Sequence, residues 1–95
     1  MIAPRRFLPS ISALLSFEAV ARLGTATAAA QELNLTQSAV SRQIKTLEEQ
    51  LGVALMLRQG RRLTPTQAGL DYVAQVRDIL NRLAQASVSA RTNPT

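Results

Sequence analysis

The 95-residue chain contains no cysteine and no histidine. It therefore offers no thiolate or imidazole ligand for a metal, no cysteine nucleophile and no Ser-His catalytic pair. Its Asp and Glu residues also show no paired arrangement suited to acid–base catalysis. We therefore expect a protein that is not an enzyme and that has no metal site and no cofactor.

Aromatic residues are scarce, at 3% of the chain, whereas 46% of the chain is hydrophobic. A core must therefore be built from Leu, Ala, Val and Ile, which suits packed helices better than a sandwich of sheets. A chain of this length supports one small domain with a modest core. A mainly helical domain is the expectation.

Long apolar runs are also missing. No run approaches the ~18 residues that would cross a bilayer, and the opening MIAPRRFLPS lacks the apolar centre of a signal peptide. We expect a cytoplasmic protein, associated with the nucleoid, that has no membrane partner.

Negative charge is in short supply. Eleven Lys and Arg residues against six Asp and Glu give a net charge of +5 at pH 7. This balance favours polyanionic partners such as nucleic acid or an anionic membrane surface. A basic soluble protein without such a partner is the alternative, and charge alone does not separate the two.

Capping residues and apolar periodicity predict three short helices. Ser10 can cap and Gly24 can end the first helix, in ISALLSFEAVARLG. Thr25 can cap a short second helix that Asn34 can close, and Thr36 can cap a third helix in LTQSAVSRQIKTLEEQLG. About three residues separate the second and third helices, which is the connection typical of a helix-turn-helix.

The third helix has two different faces. Its predicted buried stripe consists of Val40, Ile44, Leu47 and Leu51, and its opposite face carries Ser38, Ser41, Arg42 and Lys45. Glu48 and Glu49 occupy the last turns, against the preference of the helix dipole. A helix that enters a DNA major groove by its N-terminal end would explain this order. An ordinary solvated face is the alternative.

A small hairpin follows the third helix. Residues 55–57 and 62–64 are predicted as two strands, with Gly60 in the turn. Its three arginines, Arg58, Arg61 and Arg62, suit a narrow minor groove or phosphate. A solubilising tip is the alternative.

The last helix runs for about 25 residues after a possible cap at Thr66. An apolar stripe at spacings of three and four predicts that it pairs with a copy of itself. The stripe consists of Val73, Val76, Leu80, Leu83, Ser87 and Ala90. The alternative is that this stripe covers the domain's own core, a task that Tyr72 and Ile79 on a neighbouring face could also perform.

The runs LLSFEAVARLG, TAAAQELNLTQSAVSRQIKTLEEQLG and LMLRQGRRLTPTQAG resemble the DNA-binding domain of LysR-type transcriptional regulators, over about residues 14–69. The opening RRFLPSISALLSFEAVAR is further similar to the glycine-cleavage and β-lactamase activator branch. Ala26 and Met56 depart from the family, since aromatic residues are usual at both positions. Pro65 replaces a common leucine and should shorten the hydrogen bonding of the second strand.

The resemblance implies a mainly α fold: a winged helix-turn-helix, with three helices and a two-stranded β-hairpin wing, followed by a long linker helix. The boundaries expected are a flexible basic lead-in at 1–9, the winged helix-turn-helix at 10–65, the linker and dimerisation helix at 66–91 and a disordered end at 92–95. The linker helix would form a homodimer, and the full-length protein could form a tetramer. We expect the C-terminal effector-binding domain of the family to be absent, and therefore no small-molecule ligand.

The resemblance also implies roles in binding double-stranded operator or promoter DNA. The residues expected to contact bases are Gln37, Ser38, Ser41 and Arg42. Those expected at the DNA backbone or in the minor groove are Thr25, Thr27, Thr36, Lys45, Arg58, Arg61 and Arg62. Arg61 matches the family's wing arginine, with Arg62 as the adjacent alternative.

A helical protein-interaction module is the main competing hypothesis. A membrane-surface helix is disfavoured, because acidic and basic residues alternate on the last helix. Glu18, Glu32, Glu48 and Glu49 are expected to be solvated helix charges.

Overall fold

The computed structural model describes residues 8–92, so the expectations for residues 1–7 and 93–95 lie outside the described range. The elements in chain order are α1 (Ile11–Leu23), α2 (Ala26–Leu33), α3 (Gln37–Leu51), β1 (Met56–Gln59), β2 (Arg62–Pro65) and α4 (Gln67–Thr92). Four helices and one antiparallel hairpin form the winged helix-turn-helix with a long last helix that was predicted. Thr92, expected in the disordered end, is still helical.

The helices begin and end where their capping residues predict. The hydroxyls of Ser10, Thr25, Thr36 and Thr66 accept hydrogen bonds at 3.0–3.1 Å from the backbone N–H three residues later. Gly24, Asn34 and Gly52 close α1, α2 and α3 in the left-handed conformation. The predictions for Ser10, Gly24, Thr25, Asn34, Thr36 and Thr66 are confirmed.

The core lies where α1 crosses α2 and α3. Phe17 and Val20 of α1 are fully buried there, beside Val40 and Leu47 of α3. Most of the apolar stripe predicted on α3 is therefore confirmed. Leu51 is exposed, because it is the last residue of α3, next to the C-cap, so its assignment to the buried stripe is wrong.

The wing is a hairpin with a two-residue loop, Gly60-Arg61, between Gln59 and Arg62. Gly60 has a φ of 62° and Arg61 does not have a positive φ, which is the pattern of a type II′ turn. In such a hairpin, bonded and non-bonded pairs alternate from the loop. Met56 and Pro65 therefore form a non-bonded pair, so the missing N–H of proline removes no ladder bond. The expectation that Pro65 shortens the strand's bonding is wrong.

The first turns of α4 belong to the domain's own core. Val73 is 4% exposed and Val76 is 0% exposed, and Leu80 packs partly against the same cluster. The ring of Tyr72 lies 5.7 Å from the ring of Phe17. Val73 and Val76 cannot reach a second subunit, because α1 covers them. Their assignment to a dimer seam is wrong.

The second half of α4 projects beyond the core. Leu83, Ser87 and Ala90 are exposed, as is Ile79, so Ile79 does not cover the core. Their pairing with a second subunit stays a prediction. Within residues 8–92, no helix combines the length and apolarity that crossing a membrane requires.

Candidate nucleic-acid interface

The face of α3 opposite the core is open in this chain. Ser38, Arg42 and Lys45 are exposed and Ser41 is half-buried. Gln37, the first residue of α3, is exposed as well. No described element covers the four exposed side chains, so they are free to meet a ligand, whereas Ser41 is partly covered.

A polar cleft of about 280 Å³ lies between the wing and the N-terminal ends of α2 and α3. It is lined by Ala26, Thr27, Gln37, Arg58 and Arg61. Four of these residues were predicted to contact DNA, and they come from α2, α3 and the wing. The fold thus places a short hydroxyl, an amide and two guanidinium groups around one opening, a set that suits phosphate and sugar oxygens.

A second cleft of about 370 Å³ lies between α3 and the wing. Ser41, Lys45 and the carboxylate residue Glu48, all from α3, line one wall, and Arg58 lines the other. Arg58 therefore borders both clefts.

Arg42 lies on the other flank of α3. It lines a cleft of about 230 Å³ between the N-terminal end of α1 and the middle of α3. The structure therefore separates Arg42 from the wing arginines. On α3 itself, Arg42 lies on one flank and Lys45 on the other.

Gln43 holds α3 against α1, a role that the sequence did not reveal. Its Nε2 donates to Oγ of Ser12 at 2.8 Å, and its Oε1 accepts from Oγ of Ser16, which is fully buried. These two bonds join α3 to α1 at the residue next to Arg42. A possible signal was the position of Gln43 at the margin of the apolar stripe.

The two neighbouring wing arginines have different surroundings. Arg61 lines the polar cleft, whereas the guanidinium of Arg62 lies against Gly24. A Cβ atom on Gly24 would come within 2.8 Å of Nη2 of Arg62. The C-terminal end of α1 lies there and carries partial negative charge, which favours a cation.

The predicted contact residues Thr25 and Thr36 are helix caps. Each hydroxyl oxygen accepts a backbone N–H, from Ala28 and Ala39 respectively, at 3.1 Å. A hydroxyl that accepts in this way still has its own O–H to donate. Capping and phosphate contact are therefore compatible.

The expectation of solvated glutamates is wrong for Glu18. Its carboxylate accepts from Arg22 and from Arg77 of α4, each at 3.1 Å. Burial raises the pKa of Glu18, but the hydrogen bonds and charges of the two arginines outweigh it, and the pKa lies below its usual value.

The expectation is also wrong for Glu48, whereas Glu32 is exposed as expected and forms an ion pair with Arg22. The hydrogen bond from Arg22 lowers the pKa of Glu32 and, in return, raises the pKa of Arg22. Glu48 accepts from two backbone N–H groups at the start of the wing. These partners are distant in sequence, so the sequence pattern carried no sign of them.

Comparison with known proteins agrees with this geometry. Residues 11–70 match the family described as bacterial regulatory helix-turn-helix protein, lysR family. The chain belongs to this family. Its LysR match covers α1, α2, α3, the wing and the beginning of α4, so the module is a winged helix-turn-helix of bacterial transcription regulators.

Individual relatives support the LysR assignment. The chain is 43% identical over 90 residues to the glycine cleavage system transcriptional activator homolog of Haemophilus influenzae, which covers 92% of this chain and 30% of that protein. It is 41% identical over 76 residues to the carbapenem-hydrolyzing β-lactamase transcriptional activator of Enterobacter cloacae, covering 80% of this chain and 26% of that protein. The chain thus spans less than a third of either relative.

The fold is also similar to that of a solved LysR structure. The crystal structure of the CbnR_DBD–DNA complex superposes with a TM-score of 0.82 at 34% identity, over 86% of this chain and 94% of that chain. Ala26 and Met56, which depart from the family's usual aromatic residues, are both buried in the core.

Proposed function

We propose that this chain is the DNA-binding domain of a LysR-type transcription regulator and binds double-stranded DNA sequence-specifically as a dimer. In the complex, α3 occupies the major groove and the wing lies at the adjacent minor groove. The observation that carries the proposal is the cleft where Thr27, Gln37, Arg58 and Arg61 meet beside the N-terminal end of α3. The similarity to a DNA complex supports it.

The exposed face of α3 supplies the base contacts in this proposal. Arg42 has the length and the forked donor geometry to bind a guanine edge, and Gln37 can bind an adenine edge. Ser38 and Ser41 are short enough to let the helix approach closely. Glu49 lies in the last turn of α3, away from the N-terminal end that enters the groove.

Contacts to the DNA backbone surround this face. Thr25, Thr27 and Thr36 lie at the N-terminal ends of α2 and α3, where backbone N–H groups and the helix dipole favour phosphate. Lys45 and Arg58 flank the cleft between α3 and the wing. Such contacts fix position and orientation, whereas base contacts select sequence.

The exposed half of α4 supplies the dimer interface in this proposal. Leu83, Ser87 and Ala90 continue the apolar stripe past the core. Leu80 lies at the junction, since it also packs against the domain itself. A dimer would present two copies of α3 to two half-sites related by symmetry.

Selection of bound duplexes from a random pool tests the proposal directly. We expect enrichment of two related half-sites at a constant spacing. Affinity for the selected duplex should fall by roughly 10³ between 50 and 200 mM salt if about six phosphates are contacted. No enrichment, or an affinity that does not change with salt, would favour a protein-interaction module instead.

A further inference from the structure

Glu48 occupies the last turn of α3. The helix dipole disfavours a carboxylate at this end, so the stability of the helix does not explain its presence. Its Oε2 atom accepts hydrogen bonds from the backbone N–H groups of Leu55 and Met56, at 2.7 and 3.2 Å. One carboxylate oxygen thus joins the end of α3 to the root of the wing.

The hairpin offers no hydrogen-bond acceptor to these two N–H groups. Leu55 precedes β1, and Met56 pairs with Pro65 at a position of the ladder where the strands exchange no hydrogen bond. Leu55 and Met56 are both buried, and a buried N–H needs an acceptor. Glu48 supplies that acceptor, so its position determines where the wing begins relative to α3.

The same side chain lies in the cleft that separates α3 from the wing. Ser41 and Lys45 on one wall belong to the proposed major-groove face, and Arg58 on the other wall belongs to the wing. The width of this cleft is therefore the separation between the two parts of the proposed DNA contact. Glu48 hydrogen-bonds one wall to the root of the other.

We propose that Glu48 is a positioning residue for DNA binding. Its carboxylate holds the wing so that Arg61 reaches the minor groove while α3 occupies the major groove. Glu48 itself touches no DNA in this arrangement. The inference rests on the proposed function, since it concerns how the two contacts are spaced.

A double-mutant comparison tests the role of Glu48. Glu48→Ala removes the acceptor and one negative charge, whereas Glu49→Ala removes the same charge from the next residue, which is exposed. Each is made with and without Arg61→Ala, and the dissociation constant is measured for a duplex selected by the unaltered chain. Comparing Glu48→Ala with Glu49→Ala separates the loss of the hydrogen bonds from the general effect that removing a negative charge has on DNA affinity.

We expect Arg61→Ala to lose most of its effect on DNA affinity in Glu48→Ala and to keep that effect in Glu49→Ala. Arg61→Ala should weaken binding about tenfold in the unaltered chain and in Glu49→Ala. In Glu48→Ala it should weaken binding by about twofold or less, because a displaced wing no longer brings Arg61 to the groove. Glu48→Gln keeps a neutral acceptor oxygen, so its Arg61 effect should fall between these two. If Glu48→Ala does not fold, Glu48→Gln carries the comparison.

Amide hydrogen exchange gives a readout that does not need DNA. Exchange at Leu55 and Met56 should be faster in Glu48→Ala than in Glu49→Ala, with α1 protected equally in both. Equal Arg61 effects in the two backgrounds, with normal binding by the unaltered chain, would overturn the inference alone. A chain that binds no duplex would overturn the proposed function and this inference with it.

Discussion

Arg77 on α4 donates through Nε to Oε2 of Glu18 on α1, across 3.1 Å. The other oxygen of Glu18 accepts from Arg22, which in turn donates from Nη1 to Glu32 of α2 at 3.0 Å. This chain of contacts connects the long last helix to both helices that support α3.

Acid should weaken this connection. The pKa of Glu18 is lower in the folded chain than its ordinary value, so its contribution to the free energy of unfolding is fully present above the ordinary pKa and is lost as the pH falls through the folded pKa. Thermal unfolding measured from pH 7 down to pH 3 should therefore show a shallower decline in Glu18→Gln. Arg77→Gln, which leaves Arg22 in place, should remove only part of the decline. An unchanged acid profile in Glu18→Gln would contradict this.

Gly69 permits close contact between α4 and the root of the wing. A Cβ atom there would lie 2.1 Å from the carbonyl oxygen of Leu55 and 3.2 Å from Cβ of Pro65. Gly69→Ala should lower the free energy of unfolding by roughly 1 to 3 kcal/mol, because overpacking outweighs the better helix propensity of alanine. Urea denaturation measures the change. Ala74→Gly, at an exposed position of α4, gives the effect of propensity alone, about 1 kcal/mol, and a more stable Gly69→Ala would refute the close contact.

Arg42 and Lys45 should contribute to DNA binding in different ways. Arg42→Ala should cost ~1 to 3 kcal/mol on the selected duplex and relax preference at one base position, because a bidentate base contact is lost. Lys45→Ala should weaken binding to all sequences alike and lower the salt slope by about one. Binding to a panel of single-base variants separates the two effects. Unchanged preference in Arg42→Ala would exclude it as a base reader.

Arg61 and Arg62 should also differ. Arg61→Ala should reduce affinity for DNA without lowering stability, since its side chain is exposed and lines the polar cleft. Arg62→Ala should lower the melting temperature more than Arg61→Ala does, because its guanidinium packs against Gly24 at the end of α1. Calorimetry measures the melting temperature of both variants, and duplex titration measures their DNA affinity. If Arg62→Ala lowered DNA affinity more than Arg61→Ala, Arg62 would be the wing's DNA contact.

The exposed half of α4 should carry the dimer contact. Leu83→Asp places a charge at the centre of the proposed interface and should dissociate the dimer, because an unpaired buried charge is strongly disfavoured. Gln85→Asp is the matched control, since residue 85 lies on the opposite side of the helix. Sedimentation velocity gives the oligomeric state. Leu80→Asp is a poorer test, because Leu80 also contacts the domain's own core.

Local features of the fold could be predicted from the sequence. The caps at Ser10, Thr25 and Thr36 depend on N–H groups three residues away, and the two faces of α3 depend on spacings of three and four. These interactions lie within one helical turn, so the order of residues is sufficient to predict them. The same reasoning led to the prediction that the polar face of α3 contacts DNA.

Contacts between distant segments could not be predicted from the sequence. The Glu48 carboxylate meets N–H groups seven and eight residues later, Gln43 meets Ser12 across 31 residues, and Arg77 meets Glu18 across 59 residues. A side chain reaches only a few ångströms from its own backbone, so these contacts form only where the fold brings two segments together. The sequence around these residues does not show which helices cross.

By itself, then, the amino-acid order determined the helices, the hairpin loop at Gly60 and the polar face of α3, because each depends on neighbours in the chain. Only the tertiary structure decided that Val73 and Val76 belong to the domain's own core. A regular apolar stripe has the same spacing whether it meets α1 or a second subunit, and the crossing of α1 over α4 makes that choice.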